Sequence, residues 1–388
     1  MKRRFLWDVF LTSLGAFGGP EAHYAVMIDQ LAVKNDYVTE EEILELMSIT
    51  TILPGPGSTQ SIVAIGYKMG GIGLALLTFL VWSLPVLLLM TALSFLDDIL
   101  TLFNISQEIV AYVPVLALSF ICLASYRMTR KLNFNPLVLG LYVLSLLVAF
   151  FVQSAWKFPL LLSLGAVVML VTSNEDHLWR WHPQKINFSF LWAFVLVTLT
   201  MTFYIKNLEP LGSLIEKFYR YGYLVIGGGQ VVVPLMQSEL IDQYHYLSVE
   251  EFLRGYGLVQ GMPGPMFSFA AYAGGMALRG SGPLLQFFGG LLSGLALFTP
   301  GILLILFVYP IWQAIRQVKG IQVMLQGMIP VATAFVAAAA LRLLTQIQWD
   351  LMTLILLVLL TAILYSKKIP APLVVVSVLA LGLVQTFI

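Results

Sequence analysis

Charge is scarce in this chain of 388 residues: Asp, Glu, Lys and Arg together make up 11%, against roughly a quarter in an ordinary soluble domain. That is too little to cover a water-facing surface. With 59% hydrophobic residues and a mean hydropathy of +0.89, the sequence reads as an all-α protein that crosses a membrane several times. Cysteine is limited to Cys122, which excludes an intrachain disulfide and a thiol cluster for a metal or redox centre; Cys122 is expected as a small core residue. The four histidines are scattered at 23, 177, 182 and 245, so no metal site is expected, and His177 and His182 fall in a polar loop. A His-Glu-x-x-His motif, a paired carboxylate within an apolar run and a Gly-x-Ser-x-Gly elbow are all missing. Neither an enzyme nor a cofactor is therefore expected. The net charge is +1 and no basic tract exceeds Lys2-Arg3-Arg4, which leaves no electrostatic footprint for nucleic acid. The apolar run after that tract is short and broken by Asp8. Gly15 to Pro20 therefore suits a kinked helix better than a cleavage site.

What the sequence does have is a duplication. Pro54-Gly55-Pro56 recurs as Pro263-Gly264-Pro265, and Gly18-Gly19 recurs as Gly227-Gly228, both at a spacing of 209 residues. The capping box Thr39-Glu40-Glu41-Glu42 has its counterpart in Ser248-Val249-Glu250-Glu251 at the same spacing, each opening a helix that leads to a break. A Pro-Gly-Pro inside an apolar run stops a helix, because proline removes a donor and glycine frees the turn. Within a membrane the exposed backbone must be buried in protein or line a wet cavity, and matching breaks in two repeats point to a transporter's binding site.

Four uncharged runs follow in the first half, Gly70 to Leu96, Ile109 to Ser125, Leu132 to Trp156 and Phe158 to Asn174. Four answer them in the second: Gly280 to Ile315, Gly320 to Leu341, Leu351 to Ser366 and Ile369 to Ile388. Pro114-Val115 matches Pro330-Val331, and Lys157-Phe158-Pro159 matches Lys368-Ile369-Pro370. One run, 186 to 205, has no counterpart. The expected division is a first repeat over 1–185, a connecting transmembrane helix over 186–205 and a second repeat over 206–388. An odd connector between halves with an even number of crossings turns the second half upside down. The basic loops agree: Arg127, Arg130, Lys131, Arg180 and Lys185 in the first half, and Arg316, Lys319, Lys367 and Lys368 in the second, fall on one side. That side is the cytoplasm, together with the N-terminus. The expected fold is thus two inverted-topology repeats with broken or re-entrant helices in the cytoplasmic membrane.

Four stretches in order resemble the motifs of the chromate ion transporter family. They are Gly18-Gly19-Pro20-Glu21-Ala22-His23, Leu53-Pro54-Gly55-Pro56-Gly57-Ser58-Thr59-Gln60, Gly227-Gly228-Gly229-Gln230-Val231-Val232-Val233-Pro234-Leu235, and Gln260-Gly261-Met262-Pro263-Gly264-Pro265-Met266-Phe267-Ser268 with the residues up to Tyr272. The resemblance spans the full length. It implies proton-motive-force-driven export of a tetrahedral oxyanion, conferring chromate resistance. Expected partners are chromate or a related oxyanion, protons, the bilayer and a second copy of the chain. Gly229 stands where the first motif has Pro20, and Val232 where it has His23, so a role for His23 belongs to one half only.

Chromate oxygens only accept hydrogen bonds, and a helix N-terminus supplies free N–H groups and partial positive charge. Helices restarting after Pro56 and Pro265 would supply two such ends. Ser58, Thr59, Gln60 and Ser268 are expected as side-chain donors, within a site formed by Gly18, Gly19, Pro54, Gly55, Gly227, Gly228, Gly229, Gln230, Gln260, Pro263 and Gly264. Glu21 and His23 are the proton-coupling candidates. Lys68, Arg279 and Arg342 are candidates to draw the anion in. Glu45 and Arg254 occupy equivalent positions and are expected to pair across the repeat interface. Gly289, Gly290 and Gly294 are expected to serve close helix packing. Export of sulfate, molybdate or an organic anion, and a passive anion channel, are the competing readings.

Overall fold

A computed structural model describes residues 2–152, 157–173, 175, 178–179, 186–226, 231–312 and 318–386, and the side chains of Pro20 and Glu21 lie outside that description. Among the described residues the secondary structure is entirely helical. The first half begins with α1 (Lys2–Gly15), α2 (Pro20–Met27), which continues into a π-helical turn over Ile28–Val33, and α3 (Glu40–Ile52). Then come α4 (Gly57–Leu93), α5 (Leu96–Leu102), α6 (Val113–Arg130), α7 (Pro136–Phe151) and α8 (Lys157–Thr172). The connector is α9 (Ser189–Phe203). The second half holds α10 (Leu211–Leu224), α11 (Val232–Met236) with a π turn over Gln237–Gln243, α12 (Val249–Gln260), α13 (Phe269–Ala277), α14 (Pro283–Val308), α15 (Lys319–Gln346), α16 (Leu351–Ser366) and α17 (Ala371–Gln385).

Helix bounds at the start of each half fall at the spacing seen in the sequence, α10 being α1 shifted by 209 residues, with a π turn in each half. Both capping boxes form. Thr39 Oγ1 accepts from the Glu42 N–H while Glu42 Oε2 accepts from the Thr39 N–H, and Ser248 and Glu251 do the same. The run expected from Gly70 is not a separate helix: α4 passes through it with a kink at Gly70-Gly71, where Gly71 has φ 75°. The second half breaks outright at the equivalent point, and Gly282 (φ 94°) precedes Pro283 at the first turn of α14.

Five stretches among the described residues, 57–93, 107–130, 189–207, 283–311 and 319–346, are long and apolar enough to cross a bilayer. Helices α7, α8, α16 and α17 are shorter and apolar. None of α9 is buried, and Trp192, Leu196 and Phe203 stand in the open, a face that only lipid solvates well. Association in lipid lacks the hydrophobic drive of water and relies on close packing of small residues. The halves interlock accordingly. Helix α4 packs on α14, while α15 packs against α6, α7 and α8. Where α8 crosses α15, a Cβ on Gly165 would reach to within 2.6 Å of the Gly327 carbonyl oxygen. Gly290 and Gly294 similarly admit Thr91 and Leu87 of α4, and Gly289 lies under the Gly274 carbonyl.

Candidate functional site

The chain reverses at Pro54-Gly55-Pro56. Helix α3 climbs about 20 Å in its 13 residues, short of the roughly 30 Å a bilayer core requires. The first part of α4 then descends beside it, so that Lys68 forms an ion pair with Glu42. Each of these two residues lies 13 positions from Gly55. In the second half Arg279, 15 positions after Gly264, pairs with Glu251, 13 positions before it. Proline pushes the preceding Leu53 into extended backbone (ψ 142°), and the two tip glycines take φ 114° and 105°.

The two tips engage the opposite halves reciprocally. Gly55 N–H donates to Val225 O at 2.8 Å, and Gly264 N–H donates to Ala16 O at 2.8 Å. Both donors and both acceptors are 209 residues apart, so one contact is the other with the halves exchanged. Ala16 and Val225 each lie two residues before a Gly-Gly stretch. Gly18 and Gly19 adopt φ 80° and 107°, with Pro20 opening α2. Gly227, Gly228, Gly229 and Gln230 lie outside the described residues, as does the side chain of Glu21.

Gln60 clips the first tip in place. Its Nε2 donates to Pro54 O at 2.7 Å and to Gly301 O of α14 at 3.1 Å. Both amide hydrogens are thus committed to the backbone, which makes Gln60 a clamp rather than the free donor expected of it. Pro56 supplies no side-chain cap to α4, so the first N–H groups of that helix keep their donor capacity. Thr59 Oγ1 accepts from Trp82 Nε1 at 3.2 Å, leaving its own hydrogen free. Ser58 Oγ sits 2.9 Å from His23 Nδ1, and the His23 ring meets Trp82 edge to face at 5.8 Å. Tyr24 OH bridges Thr50 and Ser61 at 2.8 Å each, tying α2 to both arms of the hairpin. The second tip restarts differently from expectation. A 3₁₀ turn over Met266–Ser268 precedes α13, so the helical dipole begins one turn later.

Four buried polar atoms around these tips have no partner: His23 Nε2, Gln60 Oε1, Gln260 Nε2 and Ser268 Oγ. A buried polar atom left unpaired costs about 1–3 kcal/mol. His23 and Gln60 belong to the first break, Gln260 and Ser268 to the second. Trp82 links the tips, with its indole on Thr59 and its backbone carbonyl 3.7 Å from where a Gly264 Cβ would lie. Tyr24, Trp82 and Gly301 were not singled out by sequence; Tyr24 adjoins a motif, while Trp82 and Gly301 carry no local signal.

The basic candidates are each held by a carboxylate. Arg254 does not pair with Glu45: its two Nη atoms donate to Asp97 Oδ1 and Oδ2 at 2.7 Å each. Asp97 opens α5 directly after the α4 span and meets the buried face of α12, which equivalence in sequence cannot reveal. Lys68, Arg279 and Arg342 are tethered by Glu42, Glu251 and Asp242, and none is a free attracting charge. Reversing either charge, Asp97→Arg or Arg254→Asp, is expected to cost about 1–3 kcal/mol, since water screens the half-exposed Asp97. The double reversal should recover most of it, measured as the unfolding midpoint in detergent.

The family model described as Chromate transporter matches residues 3–171 and 212–384, passing over the connector. The chain is 26% identical over 380 residues to a "Probable chromate transport protein" of Synechococcus elongatus, covering 97% of this chain and 94% of that one. It is 24% identical over 391 residues to a "Chromate transport protein" of Cupriavidus metallidurans, covering 99% and 93%. An "Uncharacterized transporter" of Bacillus subtilis is 31% identical over 141 residues, 35% of this chain and 67% of that protein. No solved structure matches the chain significantly.

Proposed function

The chain belongs to the chromate transporter family, and on that premise we propose that it exports chromate across the cytoplasmic membrane, driven by the proton motive force, and so confers chromate resistance. The reciprocal docking of Gly55 on Val225 and of Gly264 on Ala16 carries this reading. It brings two broken helices together from opposite halves, as expected of inverted repeats with their N-termini inside and outside the membrane, the chain's own N-terminus being cytoplasmic. In this arrangement the uncapped start of α4, the Thr59 hydroxyl and Ser268 Oγ offer donors to an oxyanion. Neutral donors and dipoles bind a dianion without trapping it, and release is as necessary as binding. His23 is 1% exposed and joined to Ser58 at the first turn of α4, and on this reading a change in its protonation passes to the site. Glu21 remains the second coupling candidate.

Uptake into everted vesicles tests the proposal, with chromate against sulfate and molybdate, and with the proton gradient and membrane potential collapsed in turn. Gradient-dependent accumulation of chromate that is lost in Thr59→Ala/Gln60→Ala is the expected result. His23→Gln should retain binding while uncoupling transport from the gradient. Accumulation of sulfate or molybdate alone would replace the substrate, and equilibration without accumulation would make the protein a channel.

A further inference from the structure

Away from the tips, a second set of buried polar groups surrounds a small cavity between α7, α8, α15 and the π turn at Gln237–Gln243. The cavity is about 10 Å³, room for a single water-sized atom. Lys157, Gln237, Ser238 and Arg342 line it, together with the rings of Phe158 and Phe335. Lys157, Gln237 and Ser238 are 5%, 2% and 4% exposed. Among these groups the Lys157 ammonium and the Gln237 amide nitrogen are donors, and the Ser238 hydroxyl can act as one. Gln237 Nε2 and Ser238 Oγ have no partner. Lys157 Nζ donates to Ala149 O at 3.0 Å and Val152 O at 2.7 Å, at the C-terminal end of α7, and its third N–H remains.

The charges do not balance. Arg342 Nη1 lies 2.9 Å from Asp242 Oδ2, so that pair is neutral, while among the described residues Lys157 has only carbonyl oxygens as hydrogen-bond partners. One carboxylate, Asp242, thus stands against two cations, Arg342 and Lys157, and the excess positive charge inside a membrane protein is costly. A water molecule in the cavity would satisfy donors and leave the charge. A monatomic anion would do both. Chloride is slightly larger than water and fills the space once the Gln237 and Ser238 side chains ease outward, whereas a tetrahedral oxyanion is far too large.

We propose that this cavity is a halide site, holding chloride as the counter-ion of Lys157 with Gln237 and Ser238 as its neutral donors. Chloride bridges α8 of the first half to the π turn of the second, so its binding stabilises the contact between them. The test is the unfolding midpoint of the purified full chain in detergent, with chloride titrated against gluconate at constant ionic strength. A saturable rise, reproduced by bromide and not by sulfate, is expected. Gln237→Leu should raise the half-saturating chloride concentration about tenfold, and Lys157→Met should abolish the response. Bromide soaked into crystals should give an anomalous peak beside Lys157 Nζ. A chloride-insensitive wild type, an equal response to sulfate, or an unchanged titration in Gln237→Leu would each overturn the site. Because Gln237→Leu leaves all charges in place, it stays informative if Lys157→Met fails to fold.

Discussion

Replacing Glu239 by leucine is expected to remove about 3–5 kcal/mol of stability and to empty the folded fraction in detergent. Glu239 is fully buried at the third position of the second π turn. Its carboxylate accepts from Arg220 Nη1 and Nη2 at 2.7 and 2.9 Å and from Tyr221 OH at 2.9 Å. Removing it strands a guanidinium whose remaining carboxylate neighbour, Glu216, is 3.4 Å away on the same helix. The loss should therefore fall toward the lower end of that range. Pairing the change with Arg220→Met removes the stranded charge. A buried ion pair replaced by apolar groups of similar size is often neutral or better, so the double variant should regain most of the midpoint. Single and double variants that melt together at the wild-type temperature would show that the pair contributes nothing.

A valine at Gly55 is expected to silence transport while leaving the fold largely intact. Its backbone φ of 114° is one that side-chain-bearing residues rarely adopt, and a Cβ there would lie 3.0 Å from Gly301 Cα and 3.2 Å from Gln60 Nε2. Relief requires the tip to move off α14 and give up the Gln60 clip. Strain of about 2 kcal/mol at such a position corresponds to roughly thirtyfold weaker binding if it falls on the binding-competent tip. Gly140→Ala is the matched control. That glycine sits within α7 with no atom within 4 Å of its would-be Cβ, and uptake should be unchanged. Normal chromate uptake by Gly55→Val would remove the tip from the site.

Much of this architecture was legible because its signals are local. A proline and a glycine announce the tips, a Thr or Ser three residues before a Glu announces the helix leading to each, and an unpaired apolar run announces α9. Contacts between remote helices leave no such trace. Asp97 and Arg254 are separated by 157 residues, and nothing near either names the other. Equivalence suggested Glu45 instead, but equivalent residues meet only when they lie close to the axis relating the halves. Gln60 was readable as polar and near a break, yet its two hydrogens go to carbonyls, one of them 241 residues away. The π turns were also invisible, since an apolar stripe shifted by one residue per turn looks the same in a short helix. Lys157 read as a boundary landmark, and only the carbonyls of α7 and the bare amide of Gln237 show what surrounds it.

The docking of Gly55 on Val225 has a consequence for how the protein is made. At about 5–20 residues per second, the ribosome needs roughly 10–30 s after finishing the first tip to produce its acceptor. During that interval the nascent first half holds an open break, an undocked glycine and the apolar faces of α6, α7 and α8 without α15. Neither half completes its interior alone, so insertion and final assembly are separate events in time. The first half must hold these faces within the membrane until the second is threaded in against it.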